Sequence, residues 1–268
     1  MSLEQLTTEL TSHFNRDDYE TCAKLLTPIR IELIKNGLLV PSPDYRLNSN
    51  DMVITRSILE IGALVSINTH NMKEFSNYIT LLRPFYILPQ GTIPESSNRN
   101  KLLSLYLLLL LTQGDLALFH IELEKFQNFG KSVDELEGDE FLSIPIKFEK
   151  WIIDGDFNKV YEALSSKHKF PCKEFNLFET DLLNSIRLNI AENLESAYTS
   201  LPLENLKMLL FVETSKEATE FIDSFGWTSV NGVVYFNKKQ NELEEEITDE
   251  KQIIKNALVY AKEMESII

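Results

Sequence analysis

The sequence is poor in the residues on which disulfide-stabilised, metal-binding and membrane-spanning proteins depend. Its 268 residues include two cysteines, four histidines and nine glycines. Cys22 and Cys172 are too few for a disulfide framework, and the longest apolar run, residues 102–111, is about half as long as a membrane span. The histidines show no metal-ligand spacing; they are His13, His70, His120 and His168. We therefore expect no cofactor, no bound metal and no membrane insertion.

Sequence motifs of catalysis are missing as well. The chain has no glycine-rich phosphate loop, no Gly-x-Ser-x-Gly motif and no His-Glu-x-x-His pair. His120 and Cys22 fall on predicted apolar helix faces, where a hydrogen-bonded core histidine and an inert buried thiol are expected. We expect a protein without enzymatic activity. A hydrolase whose carboxylates converge from distant segments is the remote alternative.

Positive charge is scarce too. The chain has 26 basic and 41 acidic side chains, which gives a formal charge of −15 at pH 7. That sign opposes binding to nucleic-acid phosphates and to anionic membrane surfaces. Residues 1–5 lack the basic and apolar character of a secretion signal. These features predict a soluble intracellular protein that binds neither nucleic acid nor membrane.

What the chain does contain is a helical pattern that recurs four times. After a polar turn, apolar side chains follow at positions i, i+3, i+4 and i+7, the spacing of one face of an α-helix. The patterns start 56, 41 and 41 residues apart, at Tyr19, Phe75, Leu116 and Phe157. Partner helices are predicted at residues 52–68, 99–112 and 141–153. We predict a mainly α protein whose residues 1–178 form a TPR-like helical-repeat solenoid, with an irregular helical bundle as the alternative.

Prolines and an Asn-Gly pair are expected to divide this segment further. Thr27 and Pro28 have the character of an N-cap and a first helical residue, which predicts a separate helix over residues 29–35. Asn36 and Gly37 then supply a left-handed stop. Pro84 is expected to lie in a connection between helices.

One β-hairpin is predicted near the end of this helical chain, over residues 227–236. Two β-prone runs flank Asn231 and Gly232, a pair that tolerates the positive φ angles of a tight turn. Helices are predicted before it at residues 179–200, 204–211 and 214–225, with a small strand at 201–203. Three helices followed by a hairpin predict a winged helix over residues 179–240.

This winged helix lacks the charge of a DNA-reading module. Residues 179–239 have 9 acidic and 5 basic side chains, whereas a recognition helix carries basic and amide groups to the bases. A winged-helix nucleic-acid binder is therefore the more distant alternative. Instead, we expect a short strand to offer its backbone edge to another chain, unless it only closes the local core. That strand consists of Val233, Val234, Tyr235 and Phe236.

The last 28 residues are predicted to form a tether and a helix. Residues 241–250 include six acids and predict an extended, solvated segment. Residues 251–268 predict an amphipathic helix about 27 Å long, which is marginal by itself in water. Its apolar stripe needs a dry surface, either in this chain or, as we expect, in another protein. The predicted interface residues of the stripe are Ile254, Ala257, Leu258, Ala261, Met264 and Ile268.

A family resemblance is carried by five stretches of the sequence. They are PIRIELIKN at residues 28–36, ILEIGAL at 58–64, SIPIK at 143–147, SIR at 185–187 and VYFN at 234–237. None of them is a catalytic fingerprint, and their number and order carry the specificity. In these stretches, and over nearly its whole length, the chain resembles the small PCI-domain subunits of the lid of the 26S proteasome regulatory particle.

The resemblance implies a structural lid subunit of the cytoplasm and nucleus, without enzymatic activity. In that family the repeats form an arm, the winged helices of several subunits associate side by side, and the terminal helices gather in a common bundle. The implied partners are other PCI and helical-bundle subunits of the lid, in a hetero-oligomer that acts in ubiquitin-dependent protein degradation. The equivalent small subunits of the COP9 signalosome and of translation initiation factor three are alternatives.

Overall fold

A computed structural model of the chain describes residues 3–39, 49–87, 93–128, 138–165, 170–212 and 214–236. Contacts between residues divide the chain into two units, residues 1–186 and 187–268. The division falls inside one helix, Glu179–Ala197. The predicted boundary between residues 178 and 179 lies where that helix begins.

The described part of the first unit contains four helix pairs in succession. Their bounds are α1 Leu3–Phe14, α2 Tyr19–Lys35, α3 Ser49–Asn68, α4 Met72–Ile87, α5 Arg99–Gln113, α6 Leu116–Asn128, α7 Ser143–Ile153 and α8 Phe157–Ser165. The two helices of each pair pack against each other, and a 3-10 helix follows at Lys173–Phe178. The prediction of a mainly α chain is confirmed. Sequence reasoning missed α1, which is the partner of α2.

The same turn joins the two helices of every pair. The first helix is followed by a residue with a positive φ angle, and these residues are Asp17, His70, Gly114 and Gly155, at 58°, 56°, 73° and 77°. The next residue donates its N–H to a carbonyl five residues back, at 3.2, 2.9, 3.1 and 2.8 Å in the four turns. This is the bond that closes a Schellman motif. The four pairs are therefore a structural repeat as well as a sequence pattern.

The residue after the left-handed position also caps the second helix. In the first three pairs it is Asp18, Asn71 and Asp115, whose side-chain oxygen accepts a backbone N–H three residues further on. Such a cap satisfies one of the N–H groups that have no partner inside the helix. The polar turns that mark the repeat in the sequence are these caps.

The structure corrects the register of one repeat. α4 begins at Met72, three residues before the predicted start at Phe75. Phe75 and Cys22 both donate their N–H to the carbonyl of the capping residue, and both are fully buried. Cys22, not Tyr19, is therefore the equivalent of Phe75. Because apolar positions on a helix recur every three or four residues, a shift by three leaves the sequence pattern almost unchanged.

Two prolines lie inside helices instead of between them. α2 passes through Pro28 and α4 passes through Pro84 without a break, so the predicted separate helix at residues 29–35 and the predicted connection at Pro84 are wrong. In α2 the buried stripe continues from Leu26 to Ile29 across the proline. This burial stabilises the helix despite the hydrogen bond that a proline lacks. Gly37, with φ at 65°, follows the end of α2 as predicted.

α5 is an interior helix of the first unit. Every residue from 102 to 111 is buried, and α5 contacts α3, α4, α6, α7 and the 3-10 helix. A helix that is apolar on all sides is typical of such an interior position. Within the described ranges, neither α5 nor any other helix reaches the length and apolarity needed to cross a membrane.

His120 is not the core residue that the pattern predicts. Its side chain is 55% exposed, and its Nε2 lies 3.2 Å from a carboxylate oxygen of Glu149. Phe119, which belongs to the same predicted face, is fully buried as expected. Burial raises the pKa of the Glu149 carboxyl, and the nearby His120 opposes that rise. The buried face of α6 therefore includes Phe119 and Glu122 but not His120.

The second unit begins within helix α9, Glu179–Ala197, and its other described elements come after that helix. These elements are β1 Ser200–Pro202, α10 Leu203–Leu209, α11 Ser215–Phe225, β2 Thr228–Val230 and β3 Val233–Tyr235. The strands form an antiparallel sheet in the order β1-β3-β2. Asn231 and Gly232 form the hairpin turn with φ angles of 51° and 76°, as predicted. This order of elements agrees with the predicted winged helix.

Candidate protein-interaction site

The hairpin is attached to α9 through Trp227. Trp227 is 4% exposed, and its indole Nε1 donates a hydrogen bond to Oε1 of Glu195 at 2.6 Å. Its ring meets that of Phe236 edge to face, with 4.7 Å between ring centroids. Val234 and Leu201 are register partners on β3 and β1, and both are buried. One face of the sheet therefore covers the local core, and the other face points outward.

Arg187 fixes the connection between α10 and α11. Its Nε donates to the carbonyl oxygen of Leu210 and its Nη2 to that of Phe211, both at 3.0 Å. Phe211 has a φ angle of 53°, a conformation that is costly for a bulky residue. Carbonyls at the end of a helix have no partner inside it, and a cation there is favourable. Sequence reasoning noticed Arg187 only within the SIR stretch, because no local pattern predicts bonds to residues 23 and 24 positions later.

The backbone of β3 is not a free sheet edge, so this prediction is wrong. Tyr235 pairs with Ser200 of β1 on one side and with Thr228 of β2 on the other. Beyond the strand, Phe236 donates its N–H to the carbonyl of Thr199 at 3.1 Å. Residues 200–202 therefore cover the edge that was predicted to be open. Sequence reasoning expected at most a small strand there and assigned it no partner.

The four residues predicted to form the interaction strand, residues 233–236, alternate between buried and outward-facing side chains. Val234 is fully buried and Phe236 is 6% exposed. Tyr235 is 46% exposed, and Val233 is half-buried. Val230, the register partner of Val233, is 54% exposed and lies on the same side of the sheet. Val230, Val233 and Tyr235 thus form an outward apolar surface, which we call the wing face.

The open sheet edge on the hairpin belongs to β2. All three of its residues are exposed, and among the described residues β2 pairs only with β3. A two-residue turn closes on a hydrogen-bonded pair, here Val230 and Val233. By alternation, the N–H and C=O of Ser229 point away from the sheet. Ser229 is therefore the position at which a strand of another chain would pair.

The remaining predicted interface residues lie outside the described residues. They are the tail residues Ile254, Ala257, Leu258, Ala261, Met264 and Ile268. The acidic segment 241–250 lies outside them as well. Their role stays a prediction from the sequence.

The outward surface of α11 is acidic. Glu217, Glu220 and Asp223 are exposed there beside Lys216. Such a surface opposes a polyanion, since the counterion release that drives phosphate binding requires cations. Across the part of the chain that the structure describes, no three His, Cys, Asp or Glu side chains are grouped so that they could hold a metal ion.

Comparison with known proteins gives one family and several full-length relatives. Residues 97–246 match the model of the CSN8/PSMD8/EIF3K family. The whole chain is 41% identical to the 26S proteasome regulatory subunit RPN12 of Saccharomyces cerevisiae, 99% of which is covered. It is 32% identical to the 26S proteasome regulatory subunit rpn12 of Schizosaccharomyces pombe, with 97% of each chain covered. It is 29% identical to the 26S proteasome non-ATPase regulatory subunit 8 homolog A of Arabidopsis thaliana, over 95% of this chain and 93% of that protein.

Proposed function

The chain belongs to the CSN8/PSMD8/EIF3K family, and we propose that it is a non-catalytic structural subunit of the lid of the 26S proteasome regulatory particle. The full-length similarity to proteins named as 26S proteasome regulatory subunits carries this proposal. The family description joins three names, so membership alone does not choose among complexes. The relatives that cover the whole chain favour the proteasome over the COP9 signalosome and translation initiation factor three.

In this role the protein supports lid assembly and, through it, ubiquitin-dependent protein degradation in the cytoplasm and nucleus. Its partners are other PCI and helical-bundle subunits of the lid. The β2 edge at Ser229 and the wing face offer one contact, by strand pairing and by apolar burial. The stripe of residues 254–268 offers a second contact in a helical bundle. Six buried apolar side chains contribute about 10 kcal/mol gross, much of which is offset by ordering and association costs.

The tail contact is tested by a chain that ends at Gln240. The described helices and strands all lie before that residue, so we expect the shortened chain to keep the circular dichroism spectrum of its folded part. We also expect it to be lost from affinity-purified lid complexes when they are washed in moderate salt. Stable incorporation at the level of the full chain would refute the tail mechanism.

The edge contact is tested by Ser229→Pro, with Ser229→Ala as the matched control. Proline removes the outward backbone N–H that would donate to a carbonyl oxygen of the neighbouring strand, whereas alanine keeps this N–H. We expect Ser229→Pro to weaken co-purification with neighbouring lid subunits and Ser229→Ala to leave it unchanged. Equal incorporation of the two variants would show that no strand pairs at this edge.

A further inference from the structure

A groove between α7 and α8 has no part in the contacts proposed so far. Its volume is about 300 Å³, and its lining includes Ile144, Phe148, Trp151 and Phe170 together with Lys147 and Lys159. We propose that this groove docks a linear segment of another protein in which a bulky apolar side chain lies next to a carboxylate. The apolar side chain packs against the aromatic side chains of the groove, Phe148, Trp151 and Phe170, which we call the aromatic floor. The carboxylate binds Lys147.

The aromatic floor is held in place before any ligand arrives. Phe148 is 3% exposed, and its ring centroid lies 5.9 Å from that of Trp151. The ring of Phe170 stacks on the buried Phe175, with 5.9 Å between centroids and 16° between planes. A ligand therefore orders few side chains when it binds. Tryptophan is also among the residues that contribute most at protein interfaces, and the volume is at the lower limit of small ligand sites.

The positive charge of Lys147 in the groove lining favours an acidic segment as the bound partner. Lys147 is exposed and makes no ion pair with another described residue, although the chain has a net charge of −15. Lys159 is already paired with Asp156 at 2.5 Å, and Glu162 also lines the groove. Lys147 is thus the cation that an incoming carboxylate meets, while a basic segment would be repelled by it and attracted elsewhere on this acidic protein.

The groove lies on the first unit, whereas the wing face, Ser229 and the tail belong to the second. A segment bound at the groove therefore extends the proposed function without depending on it. If no peptide binds the groove, the proposed role in the lid still stands. If the role in the lid is refuted, peptide binding to the groove can still be tested.

The test uses the full-length chain and fluorescein-labelled synthetic octapeptides. One peptide has glutamates around a central phenylalanine, the second has lysines in their place, and the third keeps the glutamates but replaces phenylalanine with serine. By fluorescence anisotropy we expect saturable binding of the first peptide only. Lys147→Glu should weaken that binding roughly fivefold or more. Lys150→Glu, a charge reversal at another exposed position of the same helix that does not line the groove, should change it less than twofold.

Several results would overturn the proposal. They are equal binding of the acidic and basic peptides, no saturation at millimolar concentration, and an equal effect of the two charge reversals. Binding that appears only after removal of residues 241–268 would mean that the chain's own acidic segment occupies the groove. A concentration-dependent dimer that Lys147→Glu abolishes would identify a second copy of the chain as the occupant.

Discussion

Replacement of Arg187 by methionine is expected to destabilise the second unit by about 2–3 kcal/mol. The guanidinium makes two hydrogen bonds at 3.0 Å to the carbonyls of Leu210 and Phe211. A bond from a charged donor contributes about 1.5–3 kcal/mol, and we take the lower end for each because Arg187 is only half-buried. Methionine retains the apolar packing of the stem but leaves both carbonyls without this donor. Arg187→Lys restores a single donor group and should recover about half of the loss.

The measurement is urea unfolding of the full chain followed by tryptophan fluorescence. Because the chain has two tryptophans, a Trp151→Phe background leaves Trp227 as the reporter of the second unit. Lys216→Met removes an exposed cation from α11 and serves as the control, with an expected change below about 0.5 kcal/mol. The reasoning is refuted if Arg187→Met is as mild as this control, or if Arg187→Lys is as harmful as Arg187→Met.

Two further predictions concern the first unit. A Cβ on Gly62 would lie 2.7 Å from the ring of Tyr78, so Gly62→Ala should lower the free energy of unfolding by about 1–3 kcal/mol. Gly114→Ala meets open space at a φ of 73° and should cost only about 1 kcal/mol; thermal unfolding compares the two, and an equal or milder effect at Gly62 would contradict the packing. Burial raises the pKa of the Cys172 thiol to about 12, which leaves roughly one thiolate in ten thousand at pH 8. Iodoacetamide should therefore modify Cys172 slowly in the folded chain and rapidly in urea, as read by mass spectrometry, and equal rates would contradict this shielding.

The helical repeat was readable from the sequence because each turn needs particular residues. The left-handed position favours Gly, Asp, Asn or His, and the capping position after it favours Asp or Asn. Gly114 followed by Asp115 is an example. The exact start of a helix was not readable from the apolar pattern alone. At Phe75 the pattern fits two starting points equally well, and only the cap at Asn71 distinguishes them.

Long-range pairings account for what sequence reasoning missed in the candidate site. The Asn231-Gly232 turn predicts the hairpin because its signal is local. Which strand of the hairpin pairs with a third strand depends on residues 200–202, about thirty positions earlier in the chain. The alternation of Val233 and Tyr235 against Val234 follows from strand geometry, whereas the free edge at Ser229 follows from the sheet order. Sequence patterns therefore indicate which side chains of a strand share a face, but not the order of the strands in the sheet.

The buried position of α5 has a consequence for the newly made chain. Among the described elements that pack closely on this helix, the last in the chain is the 3-10 helix at Lys173–Phe178, which begins sixty residues after Gln113. At about 5–20 residues per second, the ribosome leaves the leucine-rich stretch without its complete cover for several seconds. Exposed apolar runs of this kind promote aggregation during synthesis. We therefore expect residues 102–111 to be the main binding site for chaperones that meet the nascent chain.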